Sequence, residues 1–352
     1  MRALILEAAR DAKLVDLPEP EVGPGQVKIQ VAWAGICGSD LGLFTAMPVP
    51  NEFVHPLFGE QGPHVLGHEF SGTVVEAGAG VDDLAAGTTV AVRPNLWCGV
   101  CAPCQRGEVN VCVQFGFVGI NGHGGGFSEY VVANRDQVHA VPFDAEVAAM
   151  VESTTVAWHA VKMGGAGEGT TALIVGAGPV GLGIIACLKA RGAARIIVSE
   201  PSESRRALAT ELGADAVDPR EVDVDAHVAE TTGGAGVDLA FDASGVGQVT
   251  YDAAFRALRN GGTTVVVAQF HAGVEIDLNA YLMSEKRLVG SFAYTDTDFA
   301  EVVEEIAAGR IDPRPLISSR IPLTEAVSGG LEHLLGEGRN TEVKILVSPT
   351  LA

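Results

Sequence analysis

The chain has 352 residues, enough for about two domains, and its net charge of −21 comes from 44 acidic against 23 basic residues. A hydrophobic content of 47% and a mean hydropathy of +0.26 exclude an intrinsically disordered protein. The acidic excess argues against a nucleic-acid partner, which requires a basic surface. No apolar run approaches the ~18 residues of a membrane span, and residues 1–14 lack the apolar core of a secretion signal. We therefore expect a cytoplasmic protein that does not bind membranes.

Residues 1–147 have the pattern of short strands separated by turns rich in glycine and proline. β-branched residues and apolar–polar alternation predict strands over 26–32, 70–76, 88–93 and 127–133. Apolar residues recur at intervals of three and four over 145–163, which predicts a helical stretch.

From residue 170 onward the pattern changes to alternating strands and helices. Buried strands are predicted for the segments TALIVG, RIIVSE, DAVD, VDLAFDAS and TTVVVAQF, with helices in VGLGIIACLKARG and SRRALATELGA. Such alternation predicts an α/β fold with a doubly wound parallel sheet and helices on both faces. From about residue 294 the elements are mixed again, and the chain ends on the strand EVKILVS.

A glycine-rich loop follows the first of these strands and opens a helix. It consists of Gly176, Ala177, Gly178, Pro179, Val180 and Gly181. The three glycines allow a tight turn, close approach to a pyrophosphate and packing of helix on strand, and the helix N-terminus attracts the phosphates. Glu200 ends the next strand, 22 residues after Gly178, where a carboxylate binds the ribose hydroxyls of NAD. Because of this carboxylate we favour NAD(H) over NADP(H), although Arg205 lies close by and would weaken that preference. A purely structural turn is the alternative.

Four cysteines lie within fifteen residues, at positions 98, 101, 104 and 112. The spacing places Cys98, Cys101, Cys104 and Cys112 in one loop, and four thiolates suit tetrahedral Zn²⁺. Because all four coordination positions are then filled, the ion is predicted to be structural. An iron–sulfur cluster and disulfides are the alternatives.

Cys37 and His68 form a second candidate metal site. Each lies beside glycine in a turn, within the segments GICGSD and GHE. Alone, each is more typical of a core residue, but a catalytic zinc takes three protein ligands and leaves one position open. Glu69 or Glu152 could supply the third ligand.

These motifs together resemble the zinc-containing medium-chain alcohol dehydrogenases. The pattern GHE-x2-G-x5-G-x2-V runs from His68 to Val81, and GICGSD, the four cysteines and GAGPVG follow the order of that family. His68 follows Cys37 by 31 positions, and the long intervening stretch and the segment VESTTVAWHAV are similar to the butanediol dehydrogenase branch, near the sorbitol dehydrogenases. The likeness covers essentially the whole chain and implies a mostly β, GroES-like catalytic domain beside a Rossmann domain.

The resemblance implies two zinc ions per chain, one structural and one catalytic. Cys37, His68 and Glu152 are implied as the catalytic ligands, with Glu152 binding directly or through water. Glu69 is implied as a nearby carboxylate that exchanges onto zinc, and Asp40 as the residue that orients His68.

The resemblance also assigns further roles. Ser39 is implied as the first proton acceptor from the substrate hydroxyl. Ser244 is implied to line the nucleotide site, and Lys344 to reach the cofactor pyrophosphate. One position departs from the family, because Gly42 stands where many members have a histidine that passes the proton to solvent. His55 or His64 is a candidate replacement.

The resulting hypothesis is a zinc- and NAD-dependent dehydrogenase of secondary alcohols, diols or hydroxyketones. The alternatives are a reductase of a C=N, C=C or activated carbonyl bond, and a non-catalytic zinc- or nucleotide-binding protein. We expect a catalytic domain over 1–153, completed by 294–352, and a dinucleotide-binding domain over 154–293, with zinc in the cleft between them. A homodimer or homotetramer is expected, with specificity set by the loop 43–63 and by Trp97, Phe115 and Tyr294.

Overall fold

A computed structural model describes residues 1–47, 49–270 and 272–351. The chain divides into two compact units. The first consists of Met1–Glu152, Tyr294–Ala307 and Ile317–Ala352, and the second consists of Ser153–Ala293 and Ala308–Leu316. This division differs from the predicted boundaries mainly at 308–316, which the prediction places with the catalytic domain.

Short strands dominate the first unit up to residue 149. The strands are β1 (Arg2–Ala8), β2 (Asp11–Asp16), β3 (Gln26–Gly35), β4 (His64–Val65), β5 (Glu69–Ala77), β6 (Thr89–Val92), β7 (Asn95–Leu96), β8 (Gly116–Phe117), β9 (Tyr130–Asn134) and β10 (Val138–Ala140). The helices are α1 (Gly38–Ala46), α2 (Ala102–Gln105) and α3 (Ala145–Ala149). The predicted strands over 26–32, 70–76, 88–93 and 127–133 correspond to β3, β5, β6 and β9.

Strands and helices alternate through the second unit. Its elements are α4 (Val151–Gly164), β11 (Thr171–Val175), α5 (Pro179–Ala190), β12 (Arg195–Ser199), α6 (Glu203–Glu211), β13 (Asp215–Val217), α7 (Val224–Thr231), β14 (Val237–Asp242), α8 (Gln248–Ala257), β15 (Leu258–Val266), α9 (Leu278–Ser284) and β16 (Arg287–Gly290). The first two residues of α4 belong to the first unit.

The chain then returns to the first unit. Its last elements are α10 (Asp296–Ala307), β17 (Ile317–Pro322), α11 (His333–Leu335) and β18 (Lys344–Ser348), with a π-helical turn over Ala326–Glu332.

The main sheet of the first unit has the order β10–β6–β5–β3–β18–β17, with β9 also paired to β3. Val27, Ile29 and Val31 alternate along β3 and are fully buried, so this face forms the core of the unit. The register places Gly35 opposite Glu69 on β5 and opposite Leu346 on β18. Three distant parts of the chain therefore meet at one corner of the sheet.

The second unit contains a six-stranded sheet in the order β13–β12–β11–β14–β15–β16, and every pairing in it is parallel. In chain order this is the 3-2-1-4-5-6 arrangement of the Rossmann fold. Residues 172–174 of β11 are fully buried, as expected for a strand covered by helices on both faces. The predicted doubly wound α/β fold is confirmed.

The helical stretch predicted over 145–163 consists of two helices. Helix α3 ends at Ala149 with Met150 as its C-cap, and α4 begins at Val151. The apolar periodicity continues across the break, so the pattern alone did not reveal it. Within the described ranges no helix combines the length and apolarity that crossing a bilayer requires.

Candidate metal centres and nucleotide site

The four cysteines of the predicted structural site converge in the first unit. Their four Sγ atoms all lie within 4.8 Å of one another, and those of Cys101 and Cys104 are 3.4 Å apart. The backbone N–H groups of Cys98 and Gln114 donate to Cys112 Sγ at 3.3 Å. All four cysteines are free thiols, which does not support the disulfide alternative. The arrangement fits one tetrahedral Zn²⁺.

The pKa values of two thiols in this lobe are shifted in opposite directions. Backbone hydrogen bonds from Cys104 and Val113 lower the pKa of Cys101 to about 6, which favours its thiolate. Burial and the neighbouring thiols raise the pKa of Cys104 to about 12. Four thiolates at this spacing repel one another, so a divalent cation is needed to hold all of them deprotonated.

Cys37, His68 and Glu69 form the second cluster. One ligand atom from each lies within 4.8 Å of the other two, and His68 and Glu69 are buried. The fold explains this proximity, because Cys37 follows the end of β3 and His68 precedes β5, its antiparallel partner. Cys37 is also the N-cap of α1, and its backbone N–H donates to Asp40 Oδ2 at 2.8 Å.

His68 is held between two polar side chains. Its Nδ1 lies 3.5 Å from Asp40 Oδ1, and its Nε2 lies 3.1 Å from Ser39 Oγ. His68 Nδ1 and Asp40 Oδ1 are both buried without a hydrogen-bond partner, although they face each other. Burial disfavours the imidazolium, yet Asp40 and Cys37 outweigh it and raise the pKa of His68 well above its usual value. The arrangement suits a ring that binds metal through Nε2 while Nδ1 donates to Asp40.

Lys344 is buried beside Glu69. Its side chain is 1% exposed, and its Nζ donates to Glu69 Oε2 and, at 3.2 Å, to Ile36 O. The ammonium is thus buried and paired with Glu69, and a contact of Lys344 with a cofactor pyrophosphate stays a prediction. A Cβ at Gly35 would lie 2.3 Å from Glu69 Oε2, so this close approach requires glycine.

Glu152 is buried but lies outside the cluster formed by Cys37, His68 and Glu69 among the described residues. Its Oε1 accepts a 2.8 Å hydrogen bond from the hydroxyl of Tyr294. Burial raises the pKa of Glu152 to about 7, against the opposing charge of His68. The structure therefore places Glu69 closer to the two other ligands than Glu152, and it buries Tyr294 completely instead of leaving it to contact substrate.

The two histidines suggested as replacements for the missing proton relay are bound to the backbone. His55 contacts Phe115 O through Nε2 at 3.1 Å and accepts from Leu57 N at 3.2 Å. His64 accepts from Gly122 N at 3.1 Å. Both rings are buried, so neither is placed to carry protons to solvent.

The glycine-rich loop of the second unit has the expected local geometry. Gly176 has a φ of +95°, and Gly178 is the N-cap of α5, whose first residues are Pro179 and Val180. A Cβ at Gly181 would lie 2.0 Å from Gly176 O, so the helix could not pack here with any side chain at this position.

The residues predicted around this loop lie against it. Glu200 Oε2 accepts from Ala177 N at 2.7 Å, and Ser244 Oγ donates to Asp242 Oδ1 at 2.9 Å. A Cβ at Gly176 would lie 2.9 Å from Ser244 Cβ, which shows how closely Ser244 approaches the loop.

Arg205 and Arg206 follow Glu200 closely in the sequence, and the guanidinium of Arg206 is bound to other groups. Arg205 N donates to Ser202 Oγ at 3.4 Å, which places this arginine in the first turn of α6. The guanidinium of Arg206 lies 3.0 Å from Asp218 Oδ2 and donates to Glu200 O at 3.0 Å.

Sequence and structure comparisons identify the family. Residues 179–308 match the zinc-binding dehydrogenase family, and residues 23–143 match the alcohol dehydrogenase GroES-like domain. The chain belongs to the zinc-containing medium-chain alcohol dehydrogenases, in the butanediol dehydrogenase branch. The predicted zinc-dependent oxidoreductase with a nicotinamide cofactor is thereby confirmed.

Individual relatives match along nearly the whole chain. The (R,R)-butanediol dehydrogenase of Neisseria gonorrhoeae is 38% identical over 350 residues, covering 97% of both chains. The crystal structure of 2R,3R-butanediol dehydrogenase from Bacillus subtilis is 38% identical with a TM-score of 0.92, covering 99% of both chains. A zinc-binding dehydrogenase from Sinorhizobium meliloti, solved bound to NADP, is 33% identical with a TM-score of 0.89, covering 99% of both chains.

Proposed function

We propose that this enzyme interconverts a secondary alcohol, vicinal diol or hydroxyketone with its carbonyl partner, using NAD(H). The buried cluster of Cys37, His68 and Glu69 carries the proposal, because it combines thiolate, imidazole and carboxylate ligands suited to Zn²⁺. Relatives named for butanediol support the substrate class. We further propose two zinc ions per chain, the second in the four-cysteine lobe.

The chain's own residues supply position and proton transfer. Bound zinc would act as a Lewis acid that stabilises the alkoxide form of the substrate. Ser39, with its hydroxyl 3.1 Å from His68 Nε2, would accept the proton of the substrate hydroxyl while releasing its own proton toward solvent. Asp40 fixes the ring of His68, and Lys344 balances the charge of Glu69. A bound nicotinamide cofactor would supply the hydride chemistry, and the glycine-rich loop with Glu200 would hold it.

Preference for NAD(H) is proposed from Glu200 and its surroundings. Its carboxylate lies against Ala177 in the glycine-rich loop, where the adenosine ribose binds in Rossmann domains. A carboxylate there repels the 2′-phosphate of NADP, and the guanidinium of Arg206 is already paired with Asp218. The relative bound to NADP shows that the fold also accepts the phosphorylated cofactor.

A direct assay tests this function. Zinc-loaded enzyme is mixed with NAD⁺ or NADP⁺ and a panel of 2,3-butanediol stereoisomers, sorbitol and simple secondary alcohols, and reduced cofactor is followed by absorbance. We expect turnover on at least one vicinal diol, with kcat/KM about tenfold or more higher for NAD⁺. Absence of turnover on every alcohol, diol and matching ketone with zinc fully loaded would refute the proposal.

A substitution at Gly42 distinguishes the proposed alcohol dehydrogenase from the alternative function, a specialised reductase. A Cβ at Gly42 meets nothing within 4 Å, so Gly42→His introduces a side chain at the position of the family's relay histidine without a clash at its Cβ. We expect alcohol oxidation below pH 8 to rise several-fold, because a restored relay speeds proton release. Gly42→Ala, which cannot carry protons, is the control. An unchanged pH–rate profile in Gly42→His would favour the reductase.

We also propose that the enzyme is a homodimer joined through the second unit. Strand β16 lies at the end of the six-stranded sheet, with Arg287, Leu288 and Gly290 exposed. Helix α9 precedes it and exposes Leu282 by 75% and Met283 by 85%. An exposed edge strand beside apolar side chains invites pairing with a second copy.

Sedimentation velocity tests this assembly. We expect a dimer or a tetramer for the wild type, and a shift toward monomer for Leu282→Glu, because a charge would be buried in the interface. Val100→Glu, at an apolar side chain of the four-cysteine lobe that is 75% exposed, is the matched control. A wild-type monomer at micromolar concentration would exclude the dimer.

A further inference from the structure

Two acidic residues lie side by side at one edge of the six-stranded sheet in the second unit. Strands β12 and β13 are parallel neighbours, and their register pairs Ser199 with Val217. Glu200 and Asp218 follow these two residues directly, and Glu200 N donates to Val217 O at 3.1 Å. Ligands of doubly wound sheets bind outside the carboxyl ends of the strands, so both acidic residues lie at the edge where a dinucleotide would bind.

The carboxylates of these two residues have different partners. Both oxygens of Glu200 accept from the backbone, Oε2 from Ala177 N at 2.7 Å and Oε1 from Ser202 N at 2.8 Å. The carboxylate of Asp218 binds guanidinium groups instead. Glu200 therefore faces the glycine-rich loop, whereas Asp218 faces positive charge.

Asp218 binds two arginines at once. Its Oδ2 lies 3.0 Å from Arg206 Nη1 and 2.5 Å from Arg220 Nη2. Its Oδ1 accepts from Arg220 Nε at 2.9 Å and from Arg220 N at 3.0 Å. The side chain of Asp218 is only 4% exposed, and hydrogen bonds between ionised groups are the stronger ones in proteins. The carboxylate thus fixes the positions of both guanidinium groups.

The same guanidinium groups contact the backbone at Glu200 and at the next residue. Arg206 Nη1 donates to Glu200 O at 3.0 Å and to Pro201 O at 2.7 Å. Arg220 Nη2 donates to Pro201 O at 2.5 Å. In Rossmann domains an arginine near this position accommodates the 2′-phosphate of NADP. Two candidate arginines are therefore present beside the ribose-binding carboxylate, and Asp218 binds both of them.

We propose that Asp218 is a positioning residue for cofactor specificity, which binds Arg206 and Arg220 and so withholds their guanidinium groups from the 2′-phosphate of NADP(H). The inference deepens the proposed function and rests on it, because it takes the ligand to be a nicotinamide dinucleotide. Glu200 repels the phosphate, and Asp218 engages the cations that would otherwise attract it. The preference for NAD(H) thus has two sources.

The test measures nucleotide binding by calorimetry, with 5′-AMP and adenosine 2′,5′-bisphosphate as probes that differ only in the 2′-phosphate. Wild-type enzyme is compared with Asp218→Asn, which removes the charge and keeps the size of the side chain. We expect Asp218→Asn to bind the bisphosphate about tenfold more tightly, as for one added hydrogen bond between charged groups, and to bind 5′-AMP within about twofold of wild type. High salt should reduce this gain. The ratio of kcat/KM for NADP⁺ to that for NAD⁺ should rise by a similar factor.

Further variants identify the cations and control for a loss of charge. In the Asp218→Asn background, Arg206→Gln and Arg220→Gln together should abolish the gain in bisphosphate affinity. In the wild-type background, Arg206→Gln should leave that affinity unchanged, because the guanidinium is already bound to Asp218. Asp215→Asn is the matched control, since Asp215 also lies on β13 and its carboxylate is 2.7 Å from His227 Nε2. It should leave both Kd values unchanged.

Two results would overturn the inference and leave the function intact. The first is a folded Asp218→Asn variant that discriminates between the two probes as the wild type does. The second is weaker bisphosphate binding by Arg206→Gln in the wild-type background, which would show that this arginine already serves the phosphate; this result does not depend on the folding of Asp218→Asn. Wild-type enzyme that binds neither probe would overturn the inference and the proposed function together, whereas the expected affinities without any alcohol turnover would refute the function alone.

Discussion

Replacement of Cys37 by serine is expected to lower kcat/KM by about a thousandfold or more and to leave the fold intact. Cys37 is the thiolate of the cluster with His68 and Glu69, and a serine hydroxyl is a far poorer zinc ligand. Stabilisation of the alkoxide by a bound metal amounts to several kcal/mol, and each 1.4 kcal/mol corresponds to about a tenfold change in rate. Metal analysis of the variant should show one zinc per chain instead of two.

The fold should survive because Cys37 is only partly buried and serine has nearly the same shape. Thermal unfolding should therefore shift by only a few degrees. Cys187→Ser is the matched control, since Cys187 is fully buried in α5 and belongs to neither cysteine cluster. Wild-type turnover in Cys37→Ser with two zinc ions bound would contradict the assignment of the catalytic site.

Replacement of Cys98 by serine should chiefly reduce stability. The lobe around the four cysteines has little apolar core, since Val100, Val111 and Val113 are exposed by 75%, 47% and 74%. Helix α2 within it has four residues and none of them is buried. A segment without a core depends on its metal for folding, and structural zinc contributes many kcal/mol to such lobes. We expect the melting temperature to fall by roughly 10 °C, as for a loss of several kcal/mol in a chain of this size.

Limited proteolysis shows which part of the chain Cys98→Ser destabilises. Cleavage within 98–112 should become fast in Cys98→Ser and remain slow in Cys37→Ser, because the lobe opens locally only when its own metal is lost. Turnover measured well below the melting temperature should fall much less than in Cys37→Ser. If Cys98→Ser unfolds at the wild-type temperature and retains its zinc, the metal does not hold the lobe.

The second unit was predictable because its signals are local. Apolar runs such as residues 172–174 become strands buried on both faces, and Gly178 marks the start of α5 at the predicted place. The sequence does not predict the break at Met150. The spacing of apolar residues indicates which face of a helix is buried, but it does not indicate where the backbone hydrogen bonds of the helix are interrupted. Long, regular elements can thus be predicted from the sequence, whereas an interruption within an apolar stretch cannot.

The four-cysteine site was determined by the sequence alone, since all its ligands lie within fifteen residues and spacing limits how they can wrap an ion. The second centre needed the tertiary structure. Pairing of β3 with β5 brings Cys37 to His68, and β18 brings Lys344 to Glu69 across 275 residues. The bond between Tyr294 and Glu152 likewise spans 142 residues. Local spacing cannot report such contacts, because they exist only once the strands are in register and the side chains are buried together.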